Sequence, residues 1–170
     1  MSGVVGHLLK QTAAFDSPEQ EVLLAIRMAA ARTFEPWELF LKEAAGLTLN
    51  QYNVLRILRG SAPRPLPCGE ISARMVTRDP DITRLVDRLA RRGLVTRARG
   101  RQDRRVVEIG ITDKGQETLR GLDDHVRQFP KAMVGHLGAR RLEQLRALLE
   151  ELMTDLGTYP EEPRRNRNEA

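Results

Sequence analysis

Apolar positions recur along this chain with two different periods, and the change from one to the other marks a structural boundary. Ile82, Leu85, Val86 and Leu89 fall at i, i+3, i+4 and i+7, one stripe of a helix, with Arg84, Asp87, Arg88 and Arg91 on the opposite face. Asp87 is placed to pair with Arg84 or Arg91 along that helix. Asp79 reads as its N-cap, Pro80 as its first residue and Gly93 as its stop. Past Gly93 the period falls to two. Val107, Ile109 and Ile111 alternate with Val106, Glu108 and Gly110, and with "LVTRA" upstream this predicts a β-hairpin whose tip is Arg99 to Asp103.

The rest of the pattern is helical. Residues 1–16 show no clear period. "SPEQ" opens a helix with Ser17 as N-cap, Pro18 at the first helical position and Gln20 completing a capping box, and it turns Val22, Leu23, Ile26 and Ala30 inward. Pro36 should kink or break it before "WELFLKEAAG" carries it to Gly46. Thr48 and Gln51 cap a second helix that Gly60 should end. "SAPRPLP" reads as a connecting loop and "CGEISARMV" as a short helix with Ile71 and Met75 on one side. Thr112 or Asp113 should start a helix over roughly 113–134 that Pro130 bends or terminates.

The last helix, 139–156, carries Leu142, Leu145, Leu149, Leu152 and Leu156 at steps of three and four, widened by Leu148 and Met153. That seam covers just over two heptads and is an apolar face that needs a partner. The boundaries expected are a first helix over 17–46, a helix-and-hairpin domain over 47–112, C-terminal helices over 113–156, and a polar, disordered tail over 157–170.

Charge adds a location to this layout. Arg74 to Arg105 holds eleven arginines, no lysine and four aspartates, a net +7, while the rest of the 170-residue chain is slightly acidic at −2. One basic block is the footprint of a polyanion-binding face, and arginine suits bidentate contact with phosphate and base edges. Helix, short helix, turn, basic-faced helix and arginine-tipped hairpin is the order of a winged helix-turn-helix, in which the recognition helix enters the major groove and the hairpin lies over the neighbouring backbone and minor groove. The fold class expected is therefore mainly α, with a small β-hairpin wing and helices added at both ends.

Other chemistries find little support. Cys68 is the single cysteine, so no disulfide forms within the chain. His7, His125 and His136 are scattered, no metal-ligand spacing occurs, and neither a phosphate loop nor a nucleophile elbow is present, so no cofactor, metal or catalytic residue is expected. No apolar run approaches the roughly 20 residues of a membrane span. The N-terminus lacks a signal-peptide pattern, and a cytoplasmic protein is expected.

Four segments, "LTLNQYNVLRIL", "GEISARM", "ITRLVDRLARRGLV" and "DRRVVEIGITDKG", occur in order across residues 47–120 and resemble the MarR (multiple antibiotic resistance regulator) family of transcription factors. The lead-in to the recognition helix, "TRDPD", departs from the serine-rich form usual in that family. The resemblance implies a homodimeric winged-helix repressor on a pseudo-palindromic operator, its N- and C-terminal helices interleaved at the dimer interface. It implies recognition-helix contacts from Thr83, Arg84 and Arg88. It also implies an arginine, Arg105, that enters the minor groove and is held by Asp103. Arg78, Arg101 and Arg104 complete the expected DNA-binding set, and Leu142 to Leu156 the dimerisation set. Many members release DNA on binding a phenolic or lipophilic effector, and Phe34, Trp37, Phe40 and Tyr52 could line such a pocket or be ordinary core. Two other readings stay open. Cys68, at an expected helix start, could act as a redox switch or be a small structural residue, and the winged helix could be a protein-docking module.

Overall fold

The structure, a computed structural model, describes residues 3–77, 81–100 and 105–156, without the side chains of Asp155 and Leu156. The expected caps at Asp79 and Pro80, the wing tip and the 157–170 tail lie outside the described residues. Contacts divide the chain into two compact units, 1–126 and 127–170.

The first unit begins with α1 (Val4–Leu8), a single turn too short to show a period in sequence, and α2 (Pro18–Ala45). Ser17 accepts from the Gln20 amide and caps α2 as expected, while Gln20 reaches back to the amide of Asp16, one residue before the cap. Pro36 does not end α2, which runs through it to Gly46. The carbonyl that the proline leaves without its helical donor is that of Arg32, which like Pro36 is exposed, so water can take the bond. Gly46 closes the helix at φ 60°, a left-handed conformation that a Cβ would strain. The inward face expected for α2 is only partly present. Ile26 is half-buried, but Val22 and Leu23 are 55% and 64% exposed and Ala30 is exposed, because no other described residue covers them.

The winged helix follows. In α3 (Leu49–Ser61) the Thr48–Gln51 capping box forms in full. Gly60 does not stop this helix, which ends one residue later at Ser61 with Ala62 as its C-cap. Val54, Leu55 and Leu58 of α3 are almost wholly buried and form the centre of the core. Around them stand Leu66, Ile71, Val86, Leu89, Leu94, Ile109 and Leu119, all equally buried. "SAPRPLP" is more than a loop. Leu66–Pro67 forms β1, followed by α4 (Cys68–Ala73) and α5 (Ile82–Arg91). The hairpin is β2 (Val95–Arg99) and β3 (Val107–Ile111), and the sheet is antiparallel in the order β1-β3-β2. Register runs from Val95 opposite Ile111 to Arg99 opposite Val107, and Leu66 sits opposite Ile109.

The helix expected over 113–134 is two: α6 (Asp113–Arg120) and α7 (Asp123–Val134), separated at Gly121 and Leu122. Pro130 does not terminate α7. Thr112 caps α6 by accepting from the Gly115 amide, and its hydroxyl donates to the Gly93 carbonyl at 2.8 Å. Gly115 lets α6 close against the strand. A Cβ there would stand 2.3 Å from the Leu94 carbonyl oxygen and 2.8 Å from Ile111 Cγ1. Gly115→Ala should therefore destabilise the protein by about 1–3 kcal/mol through overpacking, read as a lower urea midpoint at unchanged slope. An unchanged midpoint would contradict this packing. Arg59 of α3 binds Asp123 through both carboxylate oxygens at 2.8 and 3.0 Å, which fixes the start of α7.

Within the second unit, a 3₁₀ turn (Gly135–Leu137) leads into α8 (Gly138–Leu156). Its seam is present as a helix but is not covered. Leu145, Leu148, Leu149 and Met153 are exposed, and Leu142 and Leu152 are half-buried.

Candidate nucleic-acid interface

α5 is built as its sequence period requires. Leu85, Val86 and Leu89 are buried, Ile82 is half-buried, and Thr83, Arg84, Arg88 and Arg91 face solvent. The N-cap is Asp81 rather than Asp79, its carboxylate accepting from the Arg84 amide. Asp81 also meets the Arg84 guanidinium at 3.0 Å, a pair so exposed that phosphate can displace it without large cost. The turn before α5 is tied to α3 by Thr77, whose hydroxyl donates to Asn50 Oδ1 at 3.3 Å.

Of the expected wing contacts, Arg105 is described and exposed, just before β3. Arg78, Arg101, Asp103 and Arg104, and with them the expected Asp103–Arg105 pairing, lie outside the described residues. Gly100 donates to the Val106 carbonyl at 2.8 Å, so the hairpin ladder continues to the edge of what is described.

Two arginines of the basic block have structural roles that sequence reasoning missed. Asp87 does not pair along α5 with Arg84 or Arg91. It accepts from Arg97 of β2, and so bridges helix and hairpin. The helical spacing that suggested Arg84 or Arg91 ignores a strand brought alongside by the turn at Gly93. Arg92 donates to the carbonyls of Gly46 and Ala45, both at 2.7 Å, placing a cation at the negative C-terminus of α2. No local pattern could show that contact, because 46 residues separate its ends. A weaker signal was available for Arg74, four residues after Glu70, with which it pairs.

Cys68 opens α4 and is half-buried. Burial pushes its thiol pKa up, Arg97 opposes that shift, and Asp87 reinforces it. A raised pKa leaves less thiolate at neutral pH, the wrong direction for an oxidant sensor. Peroxide treatment is therefore expected to leave DNA affinity unchanged. A Cys68→Ser variant that holds DNA under peroxide while the parent releases it would overturn this.

Trp37, Phe40 and Tyr52 are gathered around one another. Trp37 stacks on Phe40 at 5.5 Å and meets Tyr52 edge-on at 5.5 Å, and His125 stacks on Phe40 at 3.6 Å. Ring-on-ring packing of this kind suits a core role for these three, whereas Phe34 is exposed. A separate groove of about 700 Å³ lies between α2, α3 and α5, lined by Leu47, Leu49 and Leu85 and by the charged Glu38, Lys42 and Arg88. Among the described residues, no helix is long and apolar enough to cross a membrane.

Known proteins share this arrangement. The MarR family profile matches residues 45–106, from the end of α2 to the foot of β3. The homoprotocatechuate degradative operon repressor of Escherichia coli is 28% identical over 131 residues, covering 77% of this chain and 84% of that protein. A MarR transcription factor from Planctomyces limnophilus, solved by crystallography, is 39% identical, with 81% of this chain and 98% of that one aligned at a TM-score of 0.54. Sco3205 from Streptomyces coelicolor, a MarR family regulator crystallised with DNA, shares the fold at a TM-score of 0.73, with 23% identity over 86% of this chain and 95% of that one.

Proposed function

Because this chain belongs to the MarR family of winged-helix transcription regulators, we propose that it binds operator DNA as a homodimer and represses transcription. The observation that carries the reading is the α5 face. A buried stripe of Leu85, Val86 and Leu89 fixes the helix to the core, and Thr83, Arg84 and Arg88 stand outward beside an arginine-bearing hairpin. A helix so held fits the major groove, about 12 Å wide, where arginine can bind guanine O6 and N7 together. Arg105 and the tip arginines Arg101 and Arg104 belong over the flanking minor groove, with Asp103 orienting Arg105. Arg78 belongs on the phosphates at the recognition-helix start.

Dimerisation is supported by the uncovered apolar faces of α2 and α8, which carry Val22, Leu23, Leu39, Leu148 and Met153. A two-fold dimer repeats α5 on both sides of an axis, so the operator should be a pseudo-palindrome. The repressor assignment follows the E. coli relative, named as the repressor of a degradative operon. A small phenolic or lipophilic effector would fit the groove beside Arg88, where its anionic group could meet Lys42 or Arg88.

Selection from a randomised duplex pool tests the DNA reading. Enrichment of a two-fold symmetric sequence, bound at least a hundredfold more tightly than scrambled DNA, is expected. Equal affinity for every duplex would favour nonspecific binding or a protein-docking role instead.

A further inference from the structure

We propose that Asp87 and Arg97 form a positioning pair that fixes the wing against the recognition helix and thereby sets sequence preference. This rests on the DNA-binding reading above and assigns a task to two residues that do not read bases themselves. Asp87 lies in the middle of α5, between buried Val86 and exposed Arg88. Arg97 lies in the middle of β2, opposite buried Ile109 of the central strand. The Arg97 guanidinium donates to the Asp87 carboxylate, so the bond spans the two elements expected to touch the major and minor grooves.

Three features separate this pair from an ordinary surface contact. Asp87 is the single acid within α5, on the side of the helix that carries Arg84, Arg88 and Arg91. Unpaired, it would repel phosphate beside the very arginines that attract it. Next, the side chains are 36% and 39% exposed, and a pair that open to water adds little to stability, so its effect lies in geometry. Finally, the two-residue β1 reaches along β3 only to Glu108, level with Ala98, and beyond it Arg99 is exposed. Arg97 stands two residues out from the base pair Val95–Ile111, at the level of Ile109, and Arg99, two residues on, shares its face of the strand. Holding Arg97 to α5 limits the swing of everything outward from it.

The sign of one substitution distinguishes positioning from charge. Removing an acid from a DNA-binding face should tighten binding to any duplex if only electrostatics acts. If the pair positions the wing, Asp87→Asn should weaken the specific complex alone. The experiment is fluorescence anisotropy on a duplex enriched by the unmodified protein from a randomised pool, with a scrambled duplex of the same composition beside it. Asp87→Asn is expected to bind the enriched duplex about tenfold more weakly and the scrambled one no more weakly than the parent, a tenfold change being within the usual range for coupled neighbours. Hydroxyl-radical protection at the flanks of the site should fade while central protection stays. The charge-swapped double variant, Asp87→Arg with Arg97→Asp, should recover most of both effects at unchanged net charge. It also decides the matter should Asp87→Asn fold poorly.

An Asp87→Asn variant that binds the enriched duplex as tightly as the parent, or a swap that recovers nothing, overturns the pair. Failure of the unmodified protein to enrich any duplex overturns the DNA-binding reading instead, and this proposal falls with it.

Discussion

Replacing Leu145 and Leu149 with lysine should convert the protein to a monomer and lower operator affinity by at least about a hundredfold, the scale on which tethering two sites raises binding. Both leucines lie on α8 and are 40% and 38% exposed within a single chain, next to Leu148 at 65%. Each leucine that a partner buries contributes about 1.5–3 kcal/mol, so two lost from each protomer remove a large share of any interface. The four lysines of the dimer would also be brought together without partners. The winged-helix core of Val54, Leu55, Leu58, Val86 and Ile109 includes neither position, so its helical signal should persist after dissociation. Sedimentation equilibrium reads the mass and anisotropy the affinity. An unmodified chain that sediments as a stable folded monomer would contradict the dimer.

Arg88→Ala and Arg84→Ala are expected to weaken operator binding by about 1–3 kcal/mol each if the side chain contacts a base, and to relax preference at one base-pair position of each half-site. A dimer carries each change twice, so the total loss can double. Arg88 has the stronger claim, since it is exposed and, unlike Arg84, is not held by the Asp81 cap. Arg84 must first leave Asp81, a short exchange at that exposure. Competition by single-base operator variants separates the outcomes. An equal loss on operator and scrambled DNA would reduce the role to phosphate contact, with the salt slope smaller by about one per arginine.

Much of this architecture was legible in the sequence because local rules govern it. The i, i+3, i+4, i+7 stripe of α5, the Thr48–Gln51 box, the Thr112 cap and the alternation in β3 each need only a few consecutive residues. What escaped was non-local or had two local answers. β1 is two residues long and includes Pro67, so it looks like loop until Leu66 is seen opposite Ile109. Asp79 and Asp81 are both good caps by type, and only the fold puts the first helical residue at Ile82. Gly60 and Pro130 are breakers by propensity, yet the helix runs one residue past the first and four past the second. In the candidate site, Thr83, Arg84 and Arg88 were legible as one face. The contacts of Arg92 with α2 and of Arg97 with Asp87 were not, since charge counting treats every arginine of the block as equivalent.

Methylation interference on a pool-enriched duplex tests the central claim most directly, because it reports which groove the protein reads and with what symmetry. Guanine N7 positions are expected to interfere in two clusters related by a two-fold axis and centred about one helical turn, roughly 10 base pairs, or a multiple of it apart. Arg88→Ala should silence matching positions in both clusters. A single asymmetric cluster, or interference that Arg84→Ala and Arg88→Ala leave untouched, would contradict a dimer reading the major groove through α5.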